Sequence, residues 1–99
     1  MAITNEIIFS GSANDDLEDI YVYVSGILMA IKAADEFLYK LSNNITRLEK
    51  MPESCSQYKN SVYRKFIINN YIAIYYYDRK NSTVVILRIV YFRRSFFKI

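Results

Sequence analysis

The chain has 99 residues, 53% hydrophobic and 23% charged, a balance typical of one folded domain over residues 1–99 rather than of a disordered chain. A single cysteine and no histidine rule out an internal disulfide and argue against a zinc centre, so we expect no metal and no cofactor. The apolar runs are too short to span a membrane, and the first residues lack the pattern of a secretion signal, which predicts a cytoplasmic protein.

The net charge of +3 hides a strong asymmetry along the chain. Residues 1–58 contain nine acidic and four basic residues, a net charge of −5, whereas residues 59–99 contain nine basic residues and one acid, a net charge of +8. Ten of the sixteen aromatic residues also lie in this basic half. A cationic, aromatic surface is typical of proteins that contact nucleic acid or an acidic partner, so the basic half is expected to carry the function.

The acidic half predicts a strand followed by two helices. A β-favouring apolar run from Ile3 to Phe9 stops at Ser10-Gly11-Ser12, and either serine can cap the first helix. Ser25-Gly26 is expected to break or loosen that helix, and a second helix is predicted from about Met29 to Lys50, where Met51-Pro52 ends it. So short a connection predicts an antiparallel helical hairpin.

The basic half predicts a three-stranded antiparallel meander. Its strands are 62–68, 71–78 and 83–92, and they are joined by turns at Asn69-Asn70 and at 79–82. The whole chain is therefore expected to be an α+β domain, in which an N-terminal strand precedes a two-helix antiparallel hairpin packed on a C-terminal antiparallel sheet.

Successive side chains of a strand point to opposite faces of the sheet, so strict alternation assigns each residue of a predicted strand to one face. In the last strand it places Val85, Leu87, Ile89, Tyr91 and Arg93 on one face, and Val84, Ile86, Arg88, Val90 and Phe92 on the other. Both faces are mostly apolar, which predicts a central strand. An arginine in such a run must be paired or lie at the edge of a site, and Asp78 is one candidate partner for Arg88. In the first meander strand, Arg64 shares a face with Phe66, and Lys65 lies on the opposite one.

The order of these elements resembles the RelE/ParE toxin superfamily of type II toxin–antitoxin systems, with the ParE-like branch as the best fit. The matching residues are Phe9-Ser10 leading into Ala13, Asp16-Leu17 and Ile20-Tyr21, then Leu48 and Pro52, Tyr63-Arg64, Asn70-Tyr71 leading to Tyr75, and Val85 to Ile89 followed by Tyr91 and Arg93-Arg94. The resemblance implies a growth inhibitor that a cognate antitoxin neutralises, and that either inhibits DNA gyrase or cuts mRNA on the ribosome.

Two departures from the superfamily favour the gyrase inhibitor over the nuclease. Ribosome-dependent nucleases of this superfamily typically carry an arginine directly after the tyrosine that opens the middle strand, where this chain has Ile72. Many relatives have a histidine at the end of the last strand, where this chain has Tyr91. General acid–base catalysis by imidazole is therefore excluded.

The alternatives are a metal-independent endoribonuclease and a degenerate relative that only binds its antitoxin. The nuclease would use Arg64, Lys65, Arg88, Tyr91 and Arg93. Binding to gyrase, or to the ribosome and mRNA, would use the same residues with Arg94. We expect these side chains to converge on one exposed patch, and we expect an acidic antitoxin segment to complement the basic half and to cover the apolar tail 95–99, unless that tail packs back on the sheet.

Overall fold

The structure, a computed structural model, describes residues 4–91. Its elements are β1 (Glu6–Phe9), α1 (Gly11–Val22), a π-helical turn (Tyr23–Ile27), α2 (Ile31–Lys50), β2 (Arg64–Ile68), β3 (Tyr71–Asp78) and β4 (Thr83–Tyr91). Every predicted element is present, and the α+β class is confirmed. The predictions for Phe92, Arg93, Arg94 and the tail 95–99 lie outside the described residues.

The sheet has four strands in the order β1-β4-β3-β2. Strands β2, β3 and β4 form the predicted antiparallel meander. Strand β1 pairs parallel to β4, a neighbour that its sequence alone could not identify. The long connection from β1 to β4, through both helices and then β2 and β3, allows this parallel pairing. The pairing makes β4 a central strand, as predicted.

The two helices are joined by a loosened turn rather than by a clean break. Ser10 caps α1, because its hydroxyl accepts the amide proton of Ala13 at 3.0 Å. The hydroxyl of Ser25 donates to the carbonyl of Tyr21 at 2.5 Å, and the amide of Leu28 reaches back five residues to Tyr23. The chain reverses at Met29, whose φ is 53°, and α2 begins two residues later.

One face of the sheet packs against both helices and forms the core. The buried side chains of the helices (Ala13, Ile20, Phe37, Leu41, Leu48) meet those of the sheet (Phe66, Ile68, Ala73, Tyr75, Val84, Ile86, Ile89). Tyr75 is the largest fully buried side chain, and its hydroxyl donates to the carbonyl of Pro52 at 2.9 Å. The helix-facing side of β2 is therefore the side that carries Arg64, and Lys65 lies on the opposite face.

The prediction of strict alternation along β4 is wrong beyond Ile86. Tyr75 pairs with Ile86 and Ile74 pairs with Arg88, so Leu87 is the extra residue of a β-bulge. The bulge shifts the side-chain pattern by one position, and Ile89 joins Ile86 in the core. Both faces of β4 are aliphatic, so the sequence pattern could not reveal the shift.

Strand β4 continues beyond the end of β1, and α1 completes the exposed edge. The last β1 pair joins Phe9 to Ile86, and the amide of Ser10 then donates to the carbonyl of Ile86 at 2.9 Å. Further along, the hydroxyl of Ser10 donates to the carbonyl of Leu87 at 2.8 Å, and Asp16 accepts the amide proton of Ile89 at 2.9 Å. Side chains thus replace the missing strand partner.

Replacing Ser10 by alanine is expected to destabilise the fold more than replacing Ser12, the other candidate cap. The variant Ser10→Ala loses both the helix cap and the bond to Leu87, so we expect the free energy of unfolding to fall by about 1–3 kcal/mol. The control Ser12→Ala should change it by less than about 0.5 kcal/mol, because Ser12 is exposed. Urea unfolding of both variants measures the difference, and equal losses would contradict the assignment.

Candidate functional site

Arg88 is held by a carboxylate of the first helix. Its Nε donates to Asp16 Oδ2 at 2.7 Å and its second guanidinium nitrogen donates to Oδ1 at 3.1 Å, a bidentate pair. The predicted partner Asp78 is wrong, because that residue lies opposite Thr83 at the far end of β4 and accepts from Asn81. The carboxylate of Asp16 also raises the pKa of Arg88, so the guanidinium stays charged.

Arg64 is tied to the loop that follows α2. It lies on the helix-facing side of β2, where it donates to the carbonyl of Cys55 at 2.6 Å and lies 3.9 Å from the carboxylate of Glu53. The same carboxylate receives two bonds from Arg79, at 2.7 and 2.9 Å. The positive charge of Arg64 is thus partly balanced within the fold.

Tyr91 belongs to an aromatic row at the end of the sheet. Its ring centroid lies 5.5 Å from that of Tyr71, which in turn lies 5.4 Å from that of Phe37. Burial, and then the neighbouring hydroxyls of Tyr91 and Tyr23, raise the pKa of Tyr71. The Tyr71 hydroxyl therefore keeps its proton at neutral pH and cannot serve as a base.

The expected single patch does not form among the described candidates. Arg64 and Lys65 lie on opposite faces of β2. Lys65 and Arg88 share the face opposite the core, two strands apart on either side of Ile74, and Arg88 is bonded to Asp16. The strand positions of Arg64 and Tyr91 are matched to Tyr75 and Tyr71, four residues apart on β3, which is about 13 Å along the strand. Arg93 and Arg94 lie outside the described residues.

The sheet face opposite the core, called here the second face, is mostly aliphatic. The register places Ile8, Lys65, Ile67, Ile72, Ile74, Tyr76, Val85, Arg88 and Val90 on it. Lys65 and Arg88 are the two bases in that set, on either side of Ile74, and Arg88 is bonded to Asp16. Ile67 exposes 56% of its surface. This face is chemically suited to contact another protein rather than to hold a phosphate.

A second apolar surface lies where the helical hairpin meets the ends of β3 and β4. An open groove of about 800 Å³, called here the inner groove, has Tyr23, Phe37, Tyr71 and Tyr91 among its lining residues. The remaining lining includes Asp16, Asp19 and Arg88. The groove is aromatic, and its charged lining is mainly acidic.

Sequence reasoning missed the part that Asp16 plays at this edge. In the sequence, Asp16 stands out only as one of the residues that match the superfamily. Its spacing within the helix gives no hint of a bond 72 residues away in the chain. The one available signal was Arg88 itself, which required a partner of opposite charge.

Comparisons with known proteins identify the family once this geometry is known. The family model described as the ParE toxin of the type II toxin–antitoxin system parDE matches residues 7–96. The chain belongs to this family. A comparison with curated protein sequences finds no match. As a member of the ParE family, the chain is the toxin component of a type II toxin–antitoxin system, and an antitoxin is its partner.

Solved structures share the fold of this ParE toxin at low sequence identity. The chromosomal ParDE system from P. aeruginosa has 15% identity and a TM-score of 0.71, over 91% of this chain and 98% of that one. The toxin–antitoxin complex RelBE2 from Mycobacterium tuberculosis has 19% identity and a TM-score of 0.59, over 92% and 94%. A metal-bound toxin from Helicobacter pylori has 16% identity and a TM-score of 0.57, over 91% and 97%.

Neither α1 nor α2 has the length and apolar character needed to cross a bilayer. Within residues 4–91, no three or more carboxylate or cysteine side chains lie close enough together to hold a metal ion.

Removing the Asp16 carboxylate from this toxin should destabilise it. The variant Asp16→Ala leaves the Ile89 amide and the Arg88 guanidinium without their partner, so we expect the free energy of unfolding to fall by about 1–3 kcal/mol. The neighbouring Asp15 is exposed, and Asp15→Ala should change it by less than about 0.5 kcal/mol. Thermal and urea unfolding provide the measurement, and a loss no larger for Asp16 than for Asp15 would refute the role.

Proposed function

We propose that this ParE-family toxin inhibits DNA gyrase by binding it, without cutting RNA. The observation that carries the proposal is that two arginines of the strands already have partners within the fold. Arg88 is paired with Asp16, and Arg64 is bonded to the carbonyl of Cys55 and lies near Glu53. Cleavage of a phosphodiester needs several cations around one phosphate and a group that moves protons. The described residues gather no such set.

Inhibition by binding requires neither a cluster of cations around one phosphate nor a group that moves protons. The second face exposes Ile8 and Ile67 and carries Lys65 and Arg88, and this composition suits a protein interface with a cationic margin. Arg64, Lys65, Arg88 and Tyr91, together with Arg93 and Arg94, remain the proposed target-binding residues. Among the described ones, Lys65 and Arg88 lie on the second face, where both pair with Ile74. Gyrase acts on DNA in the cytoplasm, which is where we place the toxin.

Charge reversal on the second face tests this proposal. The variant Lys65→Glu/Ile67→Glu places acids on the proposed interface, so we expect the concentration that half-inhibits gyrase supercoiling to rise about tenfold or more. The control Lys59→Glu/Met51→Glu makes the same change of charge and type at exposed positions outside the sheet, and should inhibit like the unmodified toxin.

Primer extension on translated mRNA, performed with the same proteins, addresses the nuclease alternative. The proposal predicts full-length products with all three proteins. Site-specific cuts by the unmodified toxin, together with unaffected supercoiling, would overturn gyrase inhibition in favour of an endoribonuclease.

A further inference from the structure

The connection between the two helices exposes an unusual amount of apolar surface. The segment called here the hairpin tip consists of Val22, Tyr23, Ile27, Leu28, Met29 and Ile31, which expose between 47% and 82% of their surfaces. The π-helical turn and the reversal at Met29 hold these side chains outward. Contiguous exposed apolar side chains on a small protein typically mark a binding surface.

Two grooves flank the hairpin tip and share residues with it. The inner groove includes Tyr23 and Leu28, and a smaller outer groove of about 460 Å³ includes Val22 together with Leu17 and Leu38. The tip and its grooves thus form one apolar surface on both sides of the hairpin. This shape is suited to the apolar side chains of an amphipathic helix.

The charges around this surface are acidic. Asp16, Asp19 and Glu18 are the acids that line the two grooves, and Arg88 is the one base. Since Arg88 is bonded to Asp16, the carboxylates of Asp19 and Glu18 determine the local charge. The apolar surface therefore belongs to the acidic half of the chain, not to the basic half for which we expected an acidic antitoxin segment.

We propose that the hairpin tip and its grooves bind an amphipathic helical segment of the antitoxin whose apolar face is flanked by lysine or arginine. This inference rests on the function as an antitoxin-bound toxin, and it assigns the segment a charge opposite to the one expected from the chain's basic half. A second copy of the chain is disfavoured as the occupant, because it would bring Asp19 and Glu18 of each copy together. The tip residues Ile27 and Leu28 lie outside the second face, where the target is proposed to bind, and the inner groove adjoins the target-binding candidates Arg88 and Tyr91.

Substitutions at the tip test the location of the antitoxin. In Ile27→Ser/Leu28→Ser, the recovery of co-expressed antitoxin with the toxin should fall about tenfold or more. The control Met51→Ser/Val62→Ser alters equally exposed apolar residues elsewhere and should recover the antitoxin like the unmodified toxin. Equal recovery with the tip variant and the control would overturn the proposal.

Paired peptides test the charge of the segment. Two helical peptides of about 18 residues share one apolar face and carry either lysine or glutamate on its flanks. We expect the lysine peptide to bind the toxin about tenfold more tightly in low salt, with the difference shrinking near 0.5 M salt. Glu18→Lys/Asp19→Lys should reverse the preference. Equal affinities, or a preference for the glutamate peptide, would refute the basic flank.

Gyrase supercoiling in the presence of the tip variant separates this inference from the proposed target. The variant Ile27→Ser/Leu28→Ser should inhibit gyrase as the unmodified toxin does while losing the antitoxin. Loss of antitoxin recovery without any gyrase inhibition by either protein would overturn the target and leave the docking surface supported. Loss of gyrase inhibition by the tip variant alone would overturn the separation of the two surfaces.

Discussion

The structure depends on how β4 completes its hydrogen bonds where β1 ends. A central strand with a bare edge would leave amide and carbonyl groups unpaired or open to pairing with another chain. Here Ser10 and Asp16, both from the beginning of the first helix, bond to the carbonyl of Leu87 and the amide of Ile89. The first helix is thereby fixed beside β4, on the edge that is left open where β1 ends at Phe9.

This constraint also determines which surfaces are available for binding. Because Asp16 accepts from Arg88 as well as from the Ile89 amide, the positive charge of Arg88 is balanced, and the second face is aliphatic apart from Lys65, Tyr76 and Arg88. The fold therefore has two apolar surfaces with different charges around them. Basic residues accompany the second face, and acidic residues surround the hairpin tip. A toxin must bind both a target and an antitoxin, and two surfaces of different charge allow each partner to recognise its own surface by charge complementarity.

The order of elements could be read from the sequence because each one carries a strong local signal. Ser10-Gly11-Ser12, Met51-Pro52 and Asn69-Asn70 punctuate the chain, and the structure changes direction at each. Long-range pairings carry no such signal. The parallel partner of β1, the bulge at Leu87 and the bond from Asp16 to Arg88 each depend on side chains that meet only after folding. For that reason the sequence could not show that Arg64 lies on the opposite face of the sheet from Lys65 and Arg88.

Hydrogen exchange at the Ile89 amide tests the central role of Asp16 most directly. The Ile89 amide donates to the Asp16 carboxylate instead of to the backbone of a neighbouring strand, so its protection from exchange depends on that carboxylate. We predict that it exchanges as slowly as the Ser10 amide, which bonds to the backbone of β4, and that Asp16→Ala accelerates Ile89 more than Ser10. An Ile89 amide that exchanges like an exposed loop amide in the unmodified protein would contradict the account.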